Sequence, residues 1–363
     1  MPTVAEIESA VKAQIMGEST APKAKPSKPK KKPAMFTSEK SATSNTDLLT
    51  YKEFTNNAGE VPKGVTDERI FPPKRDPEHY PEEIRQHIPA VMDGFEYSDQ
   101  VYYMFLGALN KLNVFAVGGA GTGKDTAAKQ YAALAGLPYW RITGMLGTTP
   151  DMILGRKSLN DKGVVWEDGD AAIWARNGGI LVVSEPAAMP PDTLFSFQSA
   201  LEDNGFLTLM DHPDPADRML PLHEECCTIW TSNVMGKGEN SHQFAAAGVM
   251  DESTRNRFHI WLQFDYMSAA KESGIIQREY PEISAYLADK MAQFAASLRN
   301  ANNVGSIQSQ FSLRNMLPWA KYTVDQRNPA SALHSTWLYA LNDEEIDTVK
   351  QLWSDVDLDE FVL

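Results

Sequence analysis

Val114-Phe-Ala-Val-Gly-Gly-Ala-Gly-Thr-Gly-Lys-Asp-Thr126 is the segment from which we predict the fold of this chain. Its apolar first residues are typical of a buried parallel strand, a glycine-rich turn follows, and Lys124 begins an alanine-rich helix. The spacing from Gly118 to Gly123 and Lys124 fits G-x-x-x-x-G-K, in which backbone N–H groups surround phosphate oxygens. The sequence therefore predicts a nucleotide-phosphate loop formed by Gly118, Gly119, Ala120, Gly121, Thr122, Gly123, Lys124, Asp125 and Thr126.

The residue after the lysine departs from this pattern. A hydroxyl residue that ligates magnesium usually follows the lysine, whereas this chain has Asp125 there and Thr126 one position later. The alternative interpretation is a glycine-rich turn that binds no nucleotide. We favour the phosphate loop because further motifs follow it in order along the chain.

The composition limits the class of protein. With 363 residues, one large α/β domain with appendages is expected, and a net charge of −14 argues against a chain built mainly to coat nucleic acid. Cys226 and Cys227 are adjacent, so they cannot form an ordinary structural disulfide. We find neither an apolar run long enough to span a bilayer nor a signal-peptide centre. We therefore expect a cytoplasmic location and no membrane association.

Shifts in composition and periodicity divide the chain into six segments. We predict an amphipathic helix over residues 1–16, a flexible Lys/Pro-rich linker over 17–47, an extended lead-in over 48–96, a nucleotide-binding core over 97–265, a helical lid over 266–342, and an acidic tail or helix over 343–363. The lysines between Lys28 and Lys32 indicate either a solvated linker, which we favour, or a contact with nucleic acid or an acidic partner.

Polar residues end two further strands predicted in the core. Gly178–Glu185 is an apolar run that ends in an acid, and the strand Cys227–Thr231 is followed by Asn233. Acidic groups at the carboxyl end of a parallel strand, beside a phosphate loop, are placed to organise magnesium and attacking water. These two strand ends are therefore candidate parts of the same site.

Two insertions are predicted within the core. Residues 144–170 form an irregular span that is too long for an ordinary connection, and we interpret it as a working insertion. Residues 204–226 suggest a hairpin inserted before the strand that begins at Cys227.

The order of these elements resembles that of an AAA+ ATPase. Within that superfamily, the segments Leu154-Gly…Trp166-Glu-Asp-Gly-Asp-Ala-Ala…Ala175-Arg-Asn-Gly-Gly179 and Phe311-Ser-Leu-Arg-Asn…Trp319-Ala, together with the insertion before Cys227, resemble the MoxR-like group and most closely its CobS-like members. The resemblance covers about residues 85–340. It implies a P-loop NTPase αβα sandwich with a parallel sheet, followed by a small α-helical lid.

The resemblance also implies roles for single residues. Glu185 resembles the base that polarises attacking water, and Asn233 resembles the first sensor of the γ-phosphate. Arg255 and Arg257 lie where the family keeps arginine fingers, and Arg314 resembles the second sensor in the lid. Alternatives remain at this stage: Asn233 is able to cap a loop, and either arginine of the first pair is able to form a surface ion pair with Asp251 or Glu252.

The residues expected around magnesium have exchanged places relative to the family. The family normally has an aspartate before the glutamate, whereas this chain has Ser184 there and Asp125 on the phosphate loop. We therefore predict that Asp125, Ser184 and Glu185 surround Mg²⁺ and that net charge around the metal is kept. The competing hypothesis is a weakened ATPase, because a carboxylate beside the phosphates adds repulsion when no metal is bound.

The function implied by the resemblance is a ring, which we expect to be hexameric, that uses ATP and Mg²⁺ to remodel a protein client. We expect residues 145–163 to contact the client, and a von Willebrand-type domain protein to be a partner. A cobalt-chelatase motor subunit, a nucleic-acid-associated motor and a nucleotide-binding scaffold without turnover are the alternatives. The basic stretch 28–32 is the feature that favours a nucleic-acid motor.

Overall fold

The computed structural model of the chain describes residues 49–55, 69–71, 74–161, 163–233 and 250–358. The helix predicted over residues 1–16 and the linker predicted over 17–47 lie outside these ranges. Eleven strands are described: β1 (Leu49–Thr50), β2 (Arg69–Phe71), β3 (Val114–Gly118), β4 (Tyr139–Thr143), β5 (Gly155–Asn160), β6 (Gly163–Asp168), β7 (Gly179–Ser184), β8 (Phe206–Thr208), β9 (Met219–Pro221), β10 (Cys226–Ser232) and β11 (Ile260–Phe264).

The central sheet contains five of these strands, all parallel, in the order β11-β3-β10-β7-β4. Its three inner strands, β3, β10 and β7, are buried along their whole length, which explains their nearly uninterrupted apolar sequence. Successive residues of β3 face opposite sides of the sheet, so that Phe115 belongs to one hydrophobic core while Val114 and Ala116 belong to the other. The predicted parallel α/β fold is confirmed.

Helices cover both faces of the sheet and continue beyond it. They are Tyr51–Phe54, Glu82–Arg85, Asp99–Leu109, Lys124–Ala135, Pro150–Leu154, Asp170–Asn177, Pro191–Phe195, Glu252–Arg255, Ala269–Glu279, Ala285–Asn303, Leu313–Gln326, Pro329–Thr336 and Asp343–Asp355, with short 3₁₀ turns at Pro77–His79, Pro186–Ala188, Gln198–Leu201, Pro215–Asp217 and Leu338–Ala340. Among the described residues, no helix combines the length and the apolar character needed to cross a bilayer.

The C-terminal part of the chain forms a helical region with a hydrophobic core of its own, as predicted. Phe294, Trp319 and Trp353 come from three different helices, and Phe294 packs edge-on against both tryptophans in this core. The last described helix, Asp343–Asp355, begins with a capping box in which Asn342 and Glu345 satisfy each other's backbone N–H groups. The sequence suggested either an acidic tail or a helix for the C-terminal segment, and the structure shows a helix that ends at Asp355.

The span 144–170 is ordered, so our interpretation of it as irregular is wrong. It contains the helix Pro150–Leu154 and an antiparallel hairpin in which β5 pairs with β6. Leu159 and Val164 face each other across the end of this hairpin and are both exposed. Because the hairpin end is exposed, its strands need no alternation of apolar and polar residues, and the sequence pattern therefore did not predict them.

Pro190 and Pro191 predict the start of a helix, and the sequence pattern extends it to about Glu202, whereas the structure divides this segment. The α-helix ends at Phe195, and the chain then turns into the 3₁₀ segment Gln198–Leu201. Phe197 is buried against Trp230 on the sheet, and this packing on β10 accompanies the change of direction. The hairpin predicted before Cys227 is present as the antiparallel pair of β8 and β9.

Candidate active site

The candidate site lies where β3, β7 and β10 end side by side. Ser184 pairs in register with Thr231, and Val117 pairs with Ser232, so that the residues following each strand meet at one edge of the sheet. A cavity of about 970 Å³ opens at this edge and is bounded by the phosphate loop, the strand ends and the start of the helical region. This position at the carboxyl ends of parallel strands is where open α/β sheets bind ligands.

The phosphate loop has the backbone shape that its glycines allow. Gly121 and Gly123 adopt φ of 75° and 89°, a left-handed conformation that side chains disfavour, and a Cβ on Gly121 would also clash with the side chain of Ser312. Helix Lys124–Ala135 begins directly after the loop, so its first N–H groups face the cavity edge. Among the residues predicted to bind nucleotide, Ala120, Gly121, Thr122, Gly123, Lys124, Asp125 and Thr126 line the cavity.

Lys124 lies over the loop with its ammonium group fully engaged. Nζ donates to the carbonyl oxygens of Gly118 and Gly119 at 2.6 and 3.0 Å and to Oδ1 of Asn233 at 3.2 Å. Burial lowers the pKa of Lys124 and nearby Arg314 adds to this, while Glu185 and Asp125 oppose it. A bound phosphate would offer this cation charged acceptors in place of neutral carbonyls.

Asp125 is held by hydroxyl groups from two neighbouring strands. Ser184 donates to its Oδ2 at 2.8 Å, and Thr231 donates to its Oδ1 at 2.6 Å. Both hydroxyl residues are buried, with relative exposures of 3% and 2%. The carboxylate on the loop and the hydroxyl on the strand, which the sequence suggested had exchanged places, are in direct contact.

Arg141 is a member of this cluster that our sequence analysis missed. Its Nη2 lies 3.0 Å from Oδ2 of Asp125, and its Nε donates to Oγ of Ser184 at 3.2 Å. The residue lies on β4, whose side chains alternate between buried and exposed, and it occupies one of the exposed positions. The sequence shows a charged residue on a predicted strand, but only the structure places that strand next to β7.

Glu185 has an unusual backbone conformation at the end of β7. Its φ and ψ are 54° and 49°, a left-handed conformation that is rare outside glycine and that often marks functional sites. Its backbone N–H donates to the carbonyl oxygen of Thr231 at 2.7 Å, and its Oε2 accepts from the N–H of Asn233 at 3.4 Å. Burial raises the pKa of Glu185, although the Asn233 N–H and the Lys124 charge oppose the shift.

Two residues that follow the core in sequence, Tyr266 and Arg314, lie beside the phosphate loop. Arg314, in the first turn of helix Leu313–Gln326, lines the cavity. The Tyr266 hydroxyl donates to the carbonyl oxygen of Ala120 at 3.1 Å, and its ring faces the Arg299 guanidinium at 4.3 Å. The second-sensor candidate is thus placed beside the loop, and Tyr266 is a contact that the sequence did not reveal.

Arg255 and Arg257 do not line the cavity formed by their own chain. Arg257 pairs with Glu202 at 2.8 Å and donates to the carbonyl oxygen of Ser253 at 2.6 Å. The guanidinium of Arg255 lies 5.9 Å from the ring centroid of Trp261. The partner of Arg257 is therefore neither Asp251 nor Glu252, which were the acids suggested by the sequence.

The donor atoms at the site fit a hard divalent cation. Asp125 and Glu185 offer carboxylate oxygens, and Ser184 and Thr231 offer hydroxyl oxygens, which are ligands that Mg²⁺ prefers. In the described ranges, no group of three or more His, Cys, Asp or Glu side chains is able to hold a metal ion. An ion here would therefore take further ligands from nucleotide phosphates and water, as is usual for Mg²⁺.

Two domain models match the chain one after the other. Residues 113–258 match the AAA domain of the dynein-related subfamily, and residues 272–356 match the CbbQ/NirQ/NorQ C-terminal domain. The first match contains the phosphate loop and the acidic strand end, and the second contains the helical region with Arg314.

Two relatives are similar over much of the chain. The aerobic cobaltochelatase subunit CobS of a Sinorhizobium species is 26% identical over 226 residues, which are 59% of this chain and 66% of CobS. The denitrification regulatory protein NirQ of Pseudomonas aeruginosa is 25% identical over 247 residues, which are 68% of this chain and 89% of NirQ. The match thus spans slightly less than two thirds of the length of CobS.

Solved structures with a related arrangement are more distant. The Holliday junction branch migration motor RuvB of Thermotoga maritima is 16% identical with a TM-score of 0.44, over 76% of this chain and 75% of RuvB. NtrX of Brucella abortus in complex with ADP is 15% identical with a TM-score of 0.40, over 62% of this chain and 49% of NtrX.

Proposed function

Because the chain is a MoxR-like AAA+ protein with CobS and NirQ among its relatives, we propose that it is an ATP hydrolase that assembles as a ring and remodels a protein client. The observation that carries this proposal is the meeting of Lys124, Asp125, Ser184, Glu185 and Asn233 around one cavity at the carboxyl edge of the sheet. Phosphoryl transfer needs positioned cations, a group that orients water, and a metal site, and these side chains provide candidates for each.

In the proposed reaction, the chain's own residues position the phosphates and the attacking water. Lys124 exchanges its carbonyl partners for the outer phosphates, and the N–H groups of the loop hold the inner ones. Glu185 orients and polarises the water, while Asn233, which contacts both Lys124 and Glu185, links that water to the γ-phosphate. Asp125, with Ser184 in support, would hold Mg²⁺, which would supply neutralisation of charge on the phosphates.

The ring is proposed from the two arginines that lie outside their own cavity. Arg255 and Arg257 lie between β10 and β11 along the chain and are proposed to act on the nucleotide of a neighbouring subunit. A finger acting in this way requires assembly, and a hexamer is the ring size that the family suggests. Arg314, on the helical region, is proposed to sense the nucleotide from within the same subunit.

The client surface is proposed on the insertion between β4 and β7. Five large apolar side chains are exposed there: Met145, Leu146, Met152, Leu159 and Val164. Apolar side chains on an exposed hairpin and its flanking turn suit transient contact with a protein client. We propose a cytoplasmic location and a separately encoded partner with a von Willebrand-type domain.

A nucleotide-binding scaffold with little or no hydrolysis is the second candidate. The pairing of Asp125 with Arg141 favours it, because a carboxylate already held by a guanidinium has less need of a metal ion. The basic stretch that would favour a nucleic-acid motor lies outside the described residues. The chelatase activity in the name of CobS belongs to that protein and is not proposed for this chain.

The deciding experiment is Mg²⁺-dependent ATP hydrolysis measured across protein concentration, with molecular mass determined in solution. We expect turnover that rises with assembly and that is abolished in Lys124→Ala, Glu185→Gln and Arg257→Ala. Glu185→Gln should still bind ATP, because the amide keeps the size of the side chain. ATP binding without turnover in the parent protein would establish the scaffold instead, and a parent that binds no better than Lys124→Ala would refute both.

A further inference from the structure

Arg141 contacts the same two groups that we assign to Mg²⁺. Its Nη2 lies 3.0 Å from Oδ2 of Asp125, and its Nε lies 3.2 Å from Oγ of Ser184, so one planar guanidinium bridges a carboxylate and a hydroxyl. Asp125 and Ser184 are also the groups that would hold a magnesium ion. The arginine and the metal ion therefore compete for them.

Among the donors to Asp125, Arg141 is the one that can leave most easily. Ser184 and Thr231 are buried on central strands, with 3% and 2% of their surface exposed. The Arg141 side chain is 50% exposed and projects from the edge strand β4. A half-exposed ion pair gains little net free energy, and a long side chain is able to turn into water without leaving a buried charge behind.

The charge of Arg141 also has a function when no metal is bound. Asp125 and Glu185 both line the cavity that is proposed to take a polyphosphate, and their charges repel it. The phosphate-loop pattern with a hydroxyl residue after the lysine has no carboxylate on the loop itself. Among the described residues, Arg141 is the cation that forms an ion pair with Asp125.

We infer that Arg141 is a positioning residue that neutralises Asp125 in the metal-free protein and gives this carboxylate up to Mg²⁺ when metal-bound nucleotide enters. The inference rests on the proposed nucleotide site and adds a regulatory element to it. Neutralisation of Asp125 by Arg141 makes nucleotide affinity depend less on the metal ion than it would if the Asp125 charge had no ion-pair partner. Arg141→Ala should therefore change affinity in opposite directions with and without metal.

The test is isothermal titration of the full-length chain with the non-hydrolysable analogue AMP-PNP in EDTA, in saturating Mg²⁺, and at a series of Mg²⁺ concentrations between them. In Arg141→Ala, we expect affinity about 2- to 5-fold weaker in EDTA, and half-saturation by Mg²⁺ at a concentration about 2- to 5-fold lower, as suits a partly exposed pair. Arg141→Lys keeps the charge but is unable to bridge both oxygens, so it should keep most of the affinity in EDTA.

Arg176→Ala is the matched control. Arg176 pairs with Asp168 at 2.7 Å, with exposures of 35% and 23% against 50% and 29% for Arg141 and Asp125, and it does not line the cavity. This control should match the parent in both buffers. In an Asp125→Asn background, Arg141→Ala should no longer shift the Mg²⁺ dependence of nucleotide affinity, because the carboxylate for which Arg141 and Mg²⁺ compete has been removed.

Mn²⁺ titration of the nucleotide-free proteins, followed by electron paramagnetic resonance, separates this inference from the proposed function. Tighter Mn²⁺ binding by Arg141→Ala than by the parent and Arg176→Ala supports the competition even if the parent binds no nucleotide. Equal Mn²⁺ binding in all three proteins would overturn the inference. It would also be overturned if Arg141→Ala weakened AMP-PNP equally in both buffers, since Arg141 would then contact the nucleotide itself.

Discussion

Two arginine–carboxylate pairs lie near the candidate site, and they differ mainly in burial. Arg141 and Asp125 are 3.0 Å apart with 50% and 29% of their side chains exposed, whereas Arg299 and Glu272 are 2.8 Å apart with 8% and 2% exposed. The first pair joins an edge strand to the phosphate loop. The second joins two helices of the C-terminal region, where Arg299 also donates to the carbonyl oxygen of Phe311 at 2.8 Å.

The two pairs have the same chemistry but different consequences. The exposed pair is able to exchange partners, whereas the buried pair stabilises the helical region. Water is able to replace either partner of the exposed pair, so Mg²⁺ is able to compete for Asp125. Water is unable to replace Arg299 beside Glu272, because both side chains are buried. Burial raises the pKa of Glu272 even though the hydrogen bond and the charge of Arg299 lower it. We therefore expect changes in the first pair to alter ligand affinity and changes in the second to alter stability.

Removal of Arg299 is expected to have the largest effect. Arg299→Ala leaves the Glu272 carboxylate buried without its partner, which should lower the free energy of unfolding by about 3–5 kcal/mol in urea denaturation. The double variant Arg299→Met with Glu272→Leu should regain most of this loss, because no buried charge remains. A loss below about 1 kcal/mol in the single variant would show that the two pairs are energetically alike.

The pH dependence of Arg299→Ala sharpens the same contrast. Without the arginine, the folded-state pKa of Glu272 rises further above its unfolded value, so the folded state binds the proton more tightly than the unfolded state does. The deficit relative to the parent should be complete at neutral pH and should shrink as the pH falls through that folded-state pKa. A deficit that is independent of pH would mean that lost packing, and not the buried charge, causes it.

The exchange of Asp125 and Ser184 is expected to have the next largest effect. Asp125→Ser and Ser184→Asp should each reduce Mg²⁺-dependent hydrolysis, while the double variant recovers it, since the two side chains are in contact and together supply one carboxylate and one hydroxyl. The coupling between the two sites should be on the order of 1–3 kcal/mol, measured from kcat/KM in a double-mutant cycle. If the effects of the two single variants were additive in the double variant, the hypothesis that Asp125 and Ser184 have exchanged places would be contradicted.

Tyr266 connects the two regions and is expected to have a smaller effect. Tyr266→Phe removes the hydrogen bond to Ala120 while keeping the ring against Arg299, so denaturation should show a loss of about 1 kcal/mol. Tyr339→Phe is the control, because Tyr339 is 81% exposed. If both variants had the same free energy of unfolding as the parent, the hydrogen bond from the Tyr266 hydroxyl to the phosphate loop would not contribute to stability.

Arg257 provides a third ion pair whose loss is expected to affect stability least. Its partner Glu202 is 57% exposed, so Arg257→Ala should change the free energy of unfolding by no more than about 1 kcal/mol. Hydrolysis should nevertheless fall strongly, because the arginine is proposed to act on a neighbouring subunit's nucleotide. Glu202→Ala breaks the same ion pair and should leave ATP turnover close to that of the parent. Equal losses of turnover in both variants would argue against Arg257 acting as an arginine finger.

Motif residues were predictable because each is next to a recognisable strand or helix boundary. Lys124 and Asp125 open a helix after a glycine-rich turn, and Glu185 and Asn233 follow apolar strands. Parallel strands that are buried throughout have uninterrupted apolar sequences, so their ends can be found without coordinates. The fold was predicted from these boundaries, and the family from the resemblance of further segments, among them the one that begins at Phe311.

Arg141 and Tyr266 were not predictable, because their roles depend on distances between elements far apart in sequence. Arg141 reaches Asp125 only because β4 lies beside β7, with Thr143 opposite Ser184 in register. Tyr266 reaches Ala120 only because the chain after β11 passes over the loop. Neither contact leaves a periodic signal in the sequence.

By itself, the sequence determined the phosphate loop, the parallel sheet and the residue types available to a nucleotide site, since local spacing and hydrophobic periodicity encode backbone geometry. Only the tertiary structure decided which cation holds Asp125, which acid pairs with Arg257, and that the arginine at residue 299 is buried while the one at residue 141 is exposed. The physical reason is that burial and charge pairing are set by packing between distant segments, and the net free energy of a pair depends on that burial.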